Sequence, residues 1–193
     1  MKEIVVGIDE AGRGPLAGRV YAGAVILDEA KYIDNLTDSK KLSHKERICL
    51  YDEIRNKAVS FGVGFASVEE IDRINILQAT FLAMRRALDS LNSGYDYVLV
   101  DGNVFPFKNL RGEAIVKGDG KVREIMAASI AAKVERDLYM MEMSKLYPQY
   151  EFDKHKGYPT KRHVELLLKY GASPIHRKTF GIVKETLQAV RYL

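Results

Sequence analysis

The stretch Ile4-Val5-Val6-Gly7-Ile8-Asp9-Glu10-Ala11-Gly12-Arg13-Gly14-Pro15 joins an apolar run to two adjacent acids and a glycine-rich turn. The β-branched run predicts a strand, and the glycines and proline predict that the strand ends there. Asp9 and Glu10 carry like charges, so burying them together is costly unless a cation neutralises them. Carboxylate oxygens are the ligands that hard divalent cations prefer. The pair is therefore either part of a metal site or, as is ordinary for such residues, part of a solvated turn. The rest of the chain decides between these two interpretations.

The composition is that of one globular domain with a basic surface. The chain has 193 residues, of which 47% are hydrophobic and 29% charged, enough for a full core. The net charge is +4, and no apolar run has the length of a membrane span. Patches of Lys and Arg suit a polyanion, although solvated faces have the same composition. These patches are Lys40-Lys41, Lys45–Arg47, Lys154–Lys156, Lys161-Arg162 and Arg177-Lys178.

A single cysteine, Cys49, excludes an internal disulfide. This fits a reducing compartment, so we expect the protein to be cytoplasmic. Cys49 falls in a helical pattern, where a free cysteine is usually a small core residue.

Five segments have the short apolar or alternating pattern that is typical of strands. The first ends at Asp9, and the fourth ends at another acid, Asp101. By residue number the predicted strands are 4–9, 20–27, 61–68, 97–101 and 114–116.

Helical patterns alternate with the later strands. Ser43 opens a capping box before one helix, and Thr160 can cap another that ends at Gly171. Small side chains on a long helix around Ala127–Ala132 let that helix lie close to a sheet, and a last helix begins near Ile182. Asn75 can cap a further helix, and we expect its buried face to consist of Leu77, Phe81, Met84, Leu88 and Leu91. The pattern predicts a mixed α/β sheet with helices on both faces and a helical tail.

Three strand-like segments or turns carry acids at their ends: Asp9 with Glu10, Asp101, and Asp119. Functional sites of α/β sheets gather at strand ends, so we expect the four carboxylates to converge. Four carboxylates are enough to hold two Mg²⁺ or Mn²⁺ ions in the arrangement that cleaves phosphodiesters. No Cys or His cluster with zinc-ligand spacing competes.

A dinucleotide-binding site is the rival interpretation of the first turn. Gly12 to Ala17 matches G-x-G-x-x-A and follows a strand. That motif must open a helix, whereas the segment from Val20 to Leu27 has a strand pattern, and two acids would lie beside the pyrophosphate. Both points argue against this interpretation.

Motifs along nearly the whole chain resemble those of ribonuclease HII, the type 2 ribonuclease H. Each motif is moderately specific alone, and all of them in order are highly specific. The matching segments are Gly7–Gly18, Asp38–Leu42, Asp101–Asn103, Lys117–Asp119, Ala127–Val134, His155–Thr160 and Phe180–Lys184.

The resemblance implies a ribonuclease H-like fold: a mixed sheet flanked by helices, with a helical C-terminal extension. Residues 1–193 would form a single catalytic domain, in which about 150–193 are a substrate-binding extension. The implied activity is endonucleolytic cleavage of the RNA strand of RNA–DNA hybrids and of single ribonucleotides embedded in duplex DNA. Cleavage 5′ of the ribonucleotide would leave 3′-hydroxyl and 5′-phosphate ends. We expect a monomer with no membrane attachment and no obligate protein partner.

The resemblance also implies roles for individual residues. Asp9, Glu10, Asp101 and Asp119 would be catalytic and would bind the Mg²⁺ or Mn²⁺ ions. The remaining candidates would bind substrate: the turn contacts the 2′-hydroxyl and phosphates, and the tyrosine stacks on the sugar 3′ of the ribonucleotide. These residues are Gly12, Arg13, Gly14, Ser39, Lys40, Lys41 and Tyr158.

Ordinary alternatives stay open for these residues and for the activity. Arg13 can simply pair with an acid, Asp119 can be a turn residue, and Tyr158 can be a half-buried tyrosine. His155, His163 and His176 have no ligand spacing and are not assigned. Other possible functions are a different two-metal nuclease on the same fold and a non-catalytic hybrid-binding module.

Overall fold

Five strands form one sheet in the computed structural model, which describes residues 3–190 and the side chains of residues 3–189. The spatial order is β3-β2-β1-β4-β5. The antiparallel pairs are β1 with β2 and β2 with β3, whereas β1 with β4 and β4 with β5 are parallel. The predicted mixed sheet is therefore confirmed. The strands are β1 Val5–Ala11, β2 Val20–Ile26, β3 Ser60–Ala66, β4 Tyr97–Asp101 and β5 Gly112–Ile115.

Helices cover both faces of the sheet and form the tail. The helix α2 packs on one face, and α1 and α3 lie on the other. Three short 3₁₀ turns connect elements, at Ser39–Lys41, Gly118–Gly120 and Pro148–Tyr150. The helices are α1 His44–Lys57, α2 Val68–Asp89, α3 Arg123–Leu146, α4 Phe152–His155, α5 Lys161–Tyr170 and α6 Gly181–Val190.

Close approach of α3 to the sheet depends on two glycines. A Cβ on Gly7 would lie 2.2 Å from the carbonyl carbon of Glu124, and one on Gly23 would lie 2.4 Å from the carbonyl oxygen of Ala128. Ala127, Ala128 and Ala131 are fully buried against the sheet. The prediction that small side chains let this helix lie close is confirmed.

Capping residues define the helix starts as predicted, with one exception in α2. Ser43 forms a capping box with Glu46, and the Thr160 hydroxyl accepts the N–H of His163. In α2 the helix already begins at Val68, because Ser67 forms a second capping box. The predicted third strand is therefore too long at its end and stops at Ala66.

Asn75 lies at a kink in α2, where its φ is 66°. Its Oδ1 accepts the N–H groups of Leu77 and Gln78, so the predicted cap exists, but one helical segment precedes it. The prediction that Leu77 is buried is wrong, because 39% of it is exposed. The buried face runs instead through Ala79, Ala83, Met84, Ala87 and Leu88.

Cys49 is exposed, so its predicted place in the core is wrong. The buried face of α1 carries Leu50, Tyr51 and Ile54, and Cys49 points away from it. None of the helices in the described part of the chain is both long enough and apolar enough to cross a membrane.

The tail docks beside the turn that follows β1. The N–H of Leu16 donates to the carbonyl of Gly157, and the N–H of Gly18 donates to the carbonyl of Ile175, both at 2.8 Å. Ala17 and His176 form an isolated antiparallel bridge. These backbone contacts bring the segment from α4 to α6 next to the acids of β1, although it is distant from them in sequence.

Candidate active site

Parallel pairing of β1 and β4 sets two of the predicted acids side by side. Ile8 is in register with Val100. Asp9 and Asp101 are the next residues of these two parallel strands, so they lie side by side at the same edge of the sheet. Side chains alternate between the two faces of a strand. Val6, Ile8, Val98 and Val100 all face α2, and so Asp9 and Asp101 share the opposite face, toward α3.

Asp119 joins these two acids through the short turn after β5. The N–H groups of Gly118 and Asp119 donate to Oδ1 of Asp101, at 2.7 and 3.3 Å. Asp9, Asp101 and Asp119 each offer one oxygen, and the three oxygens lie within 4.8 Å of one another. Asp9 is 4% exposed and Asp119 is 7% exposed. Three buried or half-buried carboxylates that converge in this way fit a hard divalent cation such as Mg²⁺ or Mn²⁺.

Glu10 lies apart from this cluster because it is the next residue along β1. It faces the α2 side, where it lines a cleft with Arg13, Thr80 and Met84, and Asp101 borders the same cleft. Its Oε1 lies 3.5 Å from Nη1 of Arg13. The structure thus brings three of the four predicted acids together, and the role of Glu10 as a further ligand stays a prediction.

Burial and mutual repulsion govern the ionisation of Asp9 and Glu10. Burial raises the pKa of Asp9 well above its usual range, and the charges of Glu10 and Asp101 raise it further. Burial also raises the pKa of Glu10, against the opposing charge of Arg13. A cation among these carboxylates would relieve the repulsion and keep them ionised.

Ser129 of α3 is a neighbour of Asp9 on the face of the sheet that this helix covers. Its hydroxyl lowers the pKa of the Asp9 carboxyl, against the larger effect of burial. The Ser129 Oγ also lies 2.9 Å from Oγ of Ser39, which is buried. Either hydroxyl can donate in this contact, because each serine Oγ both donates and accepts. The Ser39 side chain is thus fixed against Ser129 of α3, and its predicted contact with substrate stays a prediction.

Lys40 and Lys41 follow Ser39 on the surface. The Nζ of Lys40 lies 3.0 Å from Oδ2 of Asp119, while three quarters of its side chain is exposed. That hydrogen bond raises the pKa of Lys40. Lys41 is also exposed. The structure therefore places one of the two lysines directly beside the acid cluster and leaves both side chains accessible.

Arg47 holds the Ser39–Lys41 turn in place from the interior. Its Nε donates to the carbonyl of Ser39 at 3.0 Å, and its Nη2 donates to the carbonyl of Leu42 at 2.8 Å. It also lies 3.6 Å from Asp137 of α3. Arg47 belongs to one of the predicted basic patches, but it is buried and cannot contribute to the surface.

The glycine-rich turn lies between the acids and the tail. Gly12 has a φ of 100°, and a Cβ there would lie 2.1 Å from Nε of Arg136. Arg13 and Gly14 are exposed. A Cβ on Gly14 would lie 3.9 Å from Cε1 of Tyr158, which is 41% exposed. The structure therefore brings the turn and Tyr158 together, with an exposed ring at the edge of the site.

Two buried arginines that sequence reasoning missed hold this turn against the tail. The fully buried Arg177 donates to the carbonyls of Gly12, Arg13 and Gly18. Arg136 donates to the carbonyls of Ala17 and Lys156. The assignment of Arg177 to a surface patch is wrong. Arg136 follows Ser129 by two helical turns, and this spacing is the one sequence signal for a shared face.

Comparisons with known proteins agree with the fold. The family model described as Ribonuclease HII matches residues 6–183. A curated ribonuclease HII of Albidiferax ferrireducens is 57% identical over 185 residues, which cover 96% of this chain and 89% of that protein. The crystal structure of ribonuclease H2 from Pyrococcus horikoshii matches with a TM-score of 0.82 and 30% identity, covering 98% of this chain and 99% of that one. RNase HII of Archaeoglobus fulgidus, solved in complex with PCNA, matches with a TM-score of 0.76 and 27% identity, covering 92% and 95%.

Proposed function

The chain belongs to the ribonuclease HII family of endoribonucleases, and we propose that it cleaves the RNA strand of RNA–DNA hybrids and single ribonucleotides embedded in duplex DNA. The observation that carries the proposal is the convergence of Asp9, Asp101 and Asp119 at one edge of the sheet. Such a set of hard oxygen donors suits the divalent metal on which this family depends.

The proposed reaction is hydrolysis of the phosphodiester on the 5′ side of the ribonucleotide. Water adds to phosphorus, the bond to the 3′ oxygen of the preceding nucleotide breaks, and that oxygen takes up a proton. The products carry 3′-hydroxyl and 5′-phosphate ends. Two Mg²⁺ or Mn²⁺ ions, held by Asp9, Asp101 and Asp119 with Glu10 as a further ligand, would supply the Lewis acidity for both the attacking and the leaving oxygen.

Residues around the acids have complementary tasks in this proposal. Lys40 lies against Asp119 and is accessible, so it can contact a phosphate close to the bond that breaks. Lys41 extends the positive surface along the backbone of the substrate. The helical extension, about residues 150–193 of a single domain that spans 1–193, would bind the duplex beside the cut. Residues 1–2 and 191–193 of that predicted domain lie outside the described part of the chain.

Recognition of a ribonucleotide requires a reader for the 2′-hydroxyl, which is present in RNA and absent from DNA. The exposed backbone of Arg13 and Gly14 is adjacent to the acids and can approach a sugar closely. Tyr158 borders Gly14 and offers its ring to the next sugar on the 3′ side. This pair of contacts favours a ribonucleotide that is followed by a deoxyribonucleotide.

Cleavage of labelled duplexes tests the proposal. The substrates are a DNA duplex with one ribonucleotide, the same duplex without it, and an all-RNA strand paired with DNA, each with Mg²⁺, with Mn²⁺ and with EDTA. We expect metal-dependent cuts 5′ of the ribonucleotide and no cuts in the all-DNA duplex. Cleavage of all three substrates would instead indicate a general two-metal nuclease. Binding without cleavage in either metal would indicate a non-catalytic hybrid-binding module.

The protein is proposed to act as a cytoplasmic monomer without an obligate protein partner. Gel filtration of the protein used in the cleavage assay tests the monomer directly. Full activity of that single purified chain would support independence from a partner, and activity only after addition of another protein would contradict it.

A further inference from the structure

His163 and His176 lie buried beneath Tyr158, in contact with each other. Both are fully excluded from solvent. Their Nε2 atoms are 3.0 Å apart. His163 belongs to α5, and His176 lies in the segment that bridges to Ala17. The proposed cleavage reaction makes no use of either residue.

The partners at one end of this pair determine its protonation. The Nδ1 of His163 lies 2.9 Å from the carbonyl oxygen of Tyr158. A carbonyl oxygen only accepts, so the Nδ1 of His163 carries the proton. The Nε2 of a neutral His163 is then an acceptor, and the Nε2 of His176 must donate to it.

The partners at the other end lead to the same assignment independently. The backbone N–H of Ser173 donates to the Nδ1 of His176 at 2.9 Å, so that nitrogen carries no proton. The Ser173 hydroxyl lies 2.7 Å from the same nitrogen and can donate as well. The chain of hydrogen bonds therefore runs in one direction, from Ser173 through His176 and His163 to the carbonyl of Tyr158.

A neutral state of both histidines is the one that satisfies every bond in this chain. A second proton on His163 would put two N–H groups against each other at the contact between the Nε2 atoms, and a second proton on His176 would set its Nδ1–H against the N–H of Ser173. Burial lowers the pKa of His163 to about 4 and that of His176 to about 3, which agrees with the geometry. The two neutral histidines thus hold the series of hydrogen bonds from Ser173 to the carbonyl of Tyr158 in one arrangement.

Hydrogen bonds to the backbone carbonyl of Tyr158 fix the backbone that carries its ring. Lys156 and Gly157 before it have positive φ values of 51° and 80°, so this short segment is bent sharply. The N–H of Thr160 also donates to the Tyr158 carbonyl, at 2.8 Å. The bond from His163 ties this bend to α5 and holds the ring beside Gly14.

We propose that His163, oriented by His176 and Ser173, is a positioning residue that holds Tyr158 against the glycine-rich turn and thereby sets the preference for a junction from RNA to DNA. The proposal rests on the proposed function, in which Tyr158 contacts the sugar 3′ of the ribonucleotide. His163 itself touches no substrate.

Matched variants test the proposal through substrate preference. His163→Leu removes the donor to Tyr158, whereas His163→Asn keeps an N–H at the position of Nδ1. Tyr158→Ala is the reference, and Leu88→Val in α2 is a control for loss of stability alone. The readout is the ratio of kcat/KM for a duplex with one ribonucleotide to kcat/KM for an all-RNA hybrid, which a general loss of stability does not change.

We expect His163→Leu to lower this ratio about fivefold, the effect of one lost hydrogen bond, and His163→Asn to restore most of it. If Tyr158→Ala lowers the ratio and His163→Leu does not, the positioning role is overturned while the proposed function stands. If neither variant changes the ratio, both the positioning role and the part of Tyr158 in junction recognition are overturned.

The wild-type protein provides a measurement that does not depend on the folding of a variant. Imidazole ¹⁵N chemical shifts at pH 7 distinguish the two neutral tautomers and the charged form. We expect His163 as the Nδ1–H tautomer and His176 as the Nε2–H tautomer. The opposite tautomers, or a charged ring at either position, would overturn the proposal.

Discussion

The Arg177 side chain donates a hydrogen bond of 2.6 Å from Nη2 to the carbonyl oxygen of Gly12, across 165 positions of the sequence. Gly12 follows the acids of β1, and Arg177 lies in the segment before the last helix, which begins at Gly181. The conformation of the turn therefore depends on the tail being docked against it. The turn and the tail therefore form one unit beside the acid cluster.

Replacing Arg177 with methionine should destabilise the protein by about 3–5 kcal/mol, because several buried carbonyls lose their donor. The conformation of the turn should be lost in the same step, so kcat/KM on every ribonucleotide-containing substrate should fall. Urea unfolding and initial-rate kinetics provide the two measurements.

Arg162→Met is the matched control for that variant. Arg162 belongs to the same tail but is exposed and pairs with Glu151 on the surface, so its loss should destabilise the protein far less than the loss of Arg177. Equal destabilisation by the two variants would contradict the structural role of Arg177.

Neutralising Lys41 should weaken binding to hybrids of any sequence. One phosphate contact fewer should reduce the slope of log K against log[salt] by about one unit. Lys40→Ala should produce the same change in slope. It should also lower kcat, because Lys40 contacts Asp119 inside the acid cluster.

Lys57→Ala is the control for these lysines. Lys57 pairs with Glu53 at the end of α1. This end of the helix lies near Ile26 of β2, at the edge of the sheet that is remote from the acids. Its replacement should leave the slope unchanged. An unchanged slope in Lys40→Ala and Lys41→Ala as well would identify both as solvated lysines.

Tyr158→Ala should reduce kcat/KM more at a junction from RNA to DNA than within continuous RNA. Stacking of an aromatic ring contributes about 1–3 kcal/mol against bases, and a sugar should correspond to the lower end of that range. Tyr158→Phe should have a milder effect because the ring remains. An equal loss on both substrates would mean that Tyr158 only packs against Gly14.

Acid should destabilise the protein through His163 and His176. Both native pKa values lie below the unfolded value of about 6.5, so the unfolded state binds more protons than the native state as the pH falls below 6.5. The stabilisation is fully present above that pH. It is lost as the pH falls toward about 4 for His163 and about 3 for His176, by up to about 1.4 kcal/mol per histidine and pH unit.

Urea unfolding at pH 7 and at pH 5 measures this effect. His163→Asn removes one titrating group, so the loss of free energy of unfolding between the two pH values should be smaller than in the wild type. His44→Gln, at an exposed position, should leave that loss unchanged. A wild-type loss that His163→Asn does not reduce would contradict the account.

The sequence predicted the acid-bearing elements because local signals determine them. Strand patterns end at Asp9 and Asp101, and parallel pairing then brings these residues together. The same alternation turns Glu10 to the other face, so its convergence with the other three acids stays a prediction. That separation follows from a period of two and was accessible to sequence reasoning.

Long-range contacts of the tail could not be predicted in this way. Basic residues have similar local sequence signals whether they lie on the surface or hold buried carbonyls, as Arg177 and Arg47 do. His163 and His176 lack any ligand spacing, and their function depends on how α5 docks. Only their packing in three dimensions distinguishes these side chains from those of a solvated basic face.

The central claim is that Asp9 and Asp101 belong to one metal site that cleaves at a ribonucleotide. The most direct test is the single-turnover cleavage rate of a duplex with one ribonucleotide, in Mg²⁺ and at saturating enzyme, for the wild type and for Asp101→Asn. The substitution keeps the shape of the side chain and removes its charge. We predict that it nearly abolishes cleavage while binding of the duplex in EDTA is unchanged. A variant that cleaves at a rate comparable to the wild type would contradict the claim.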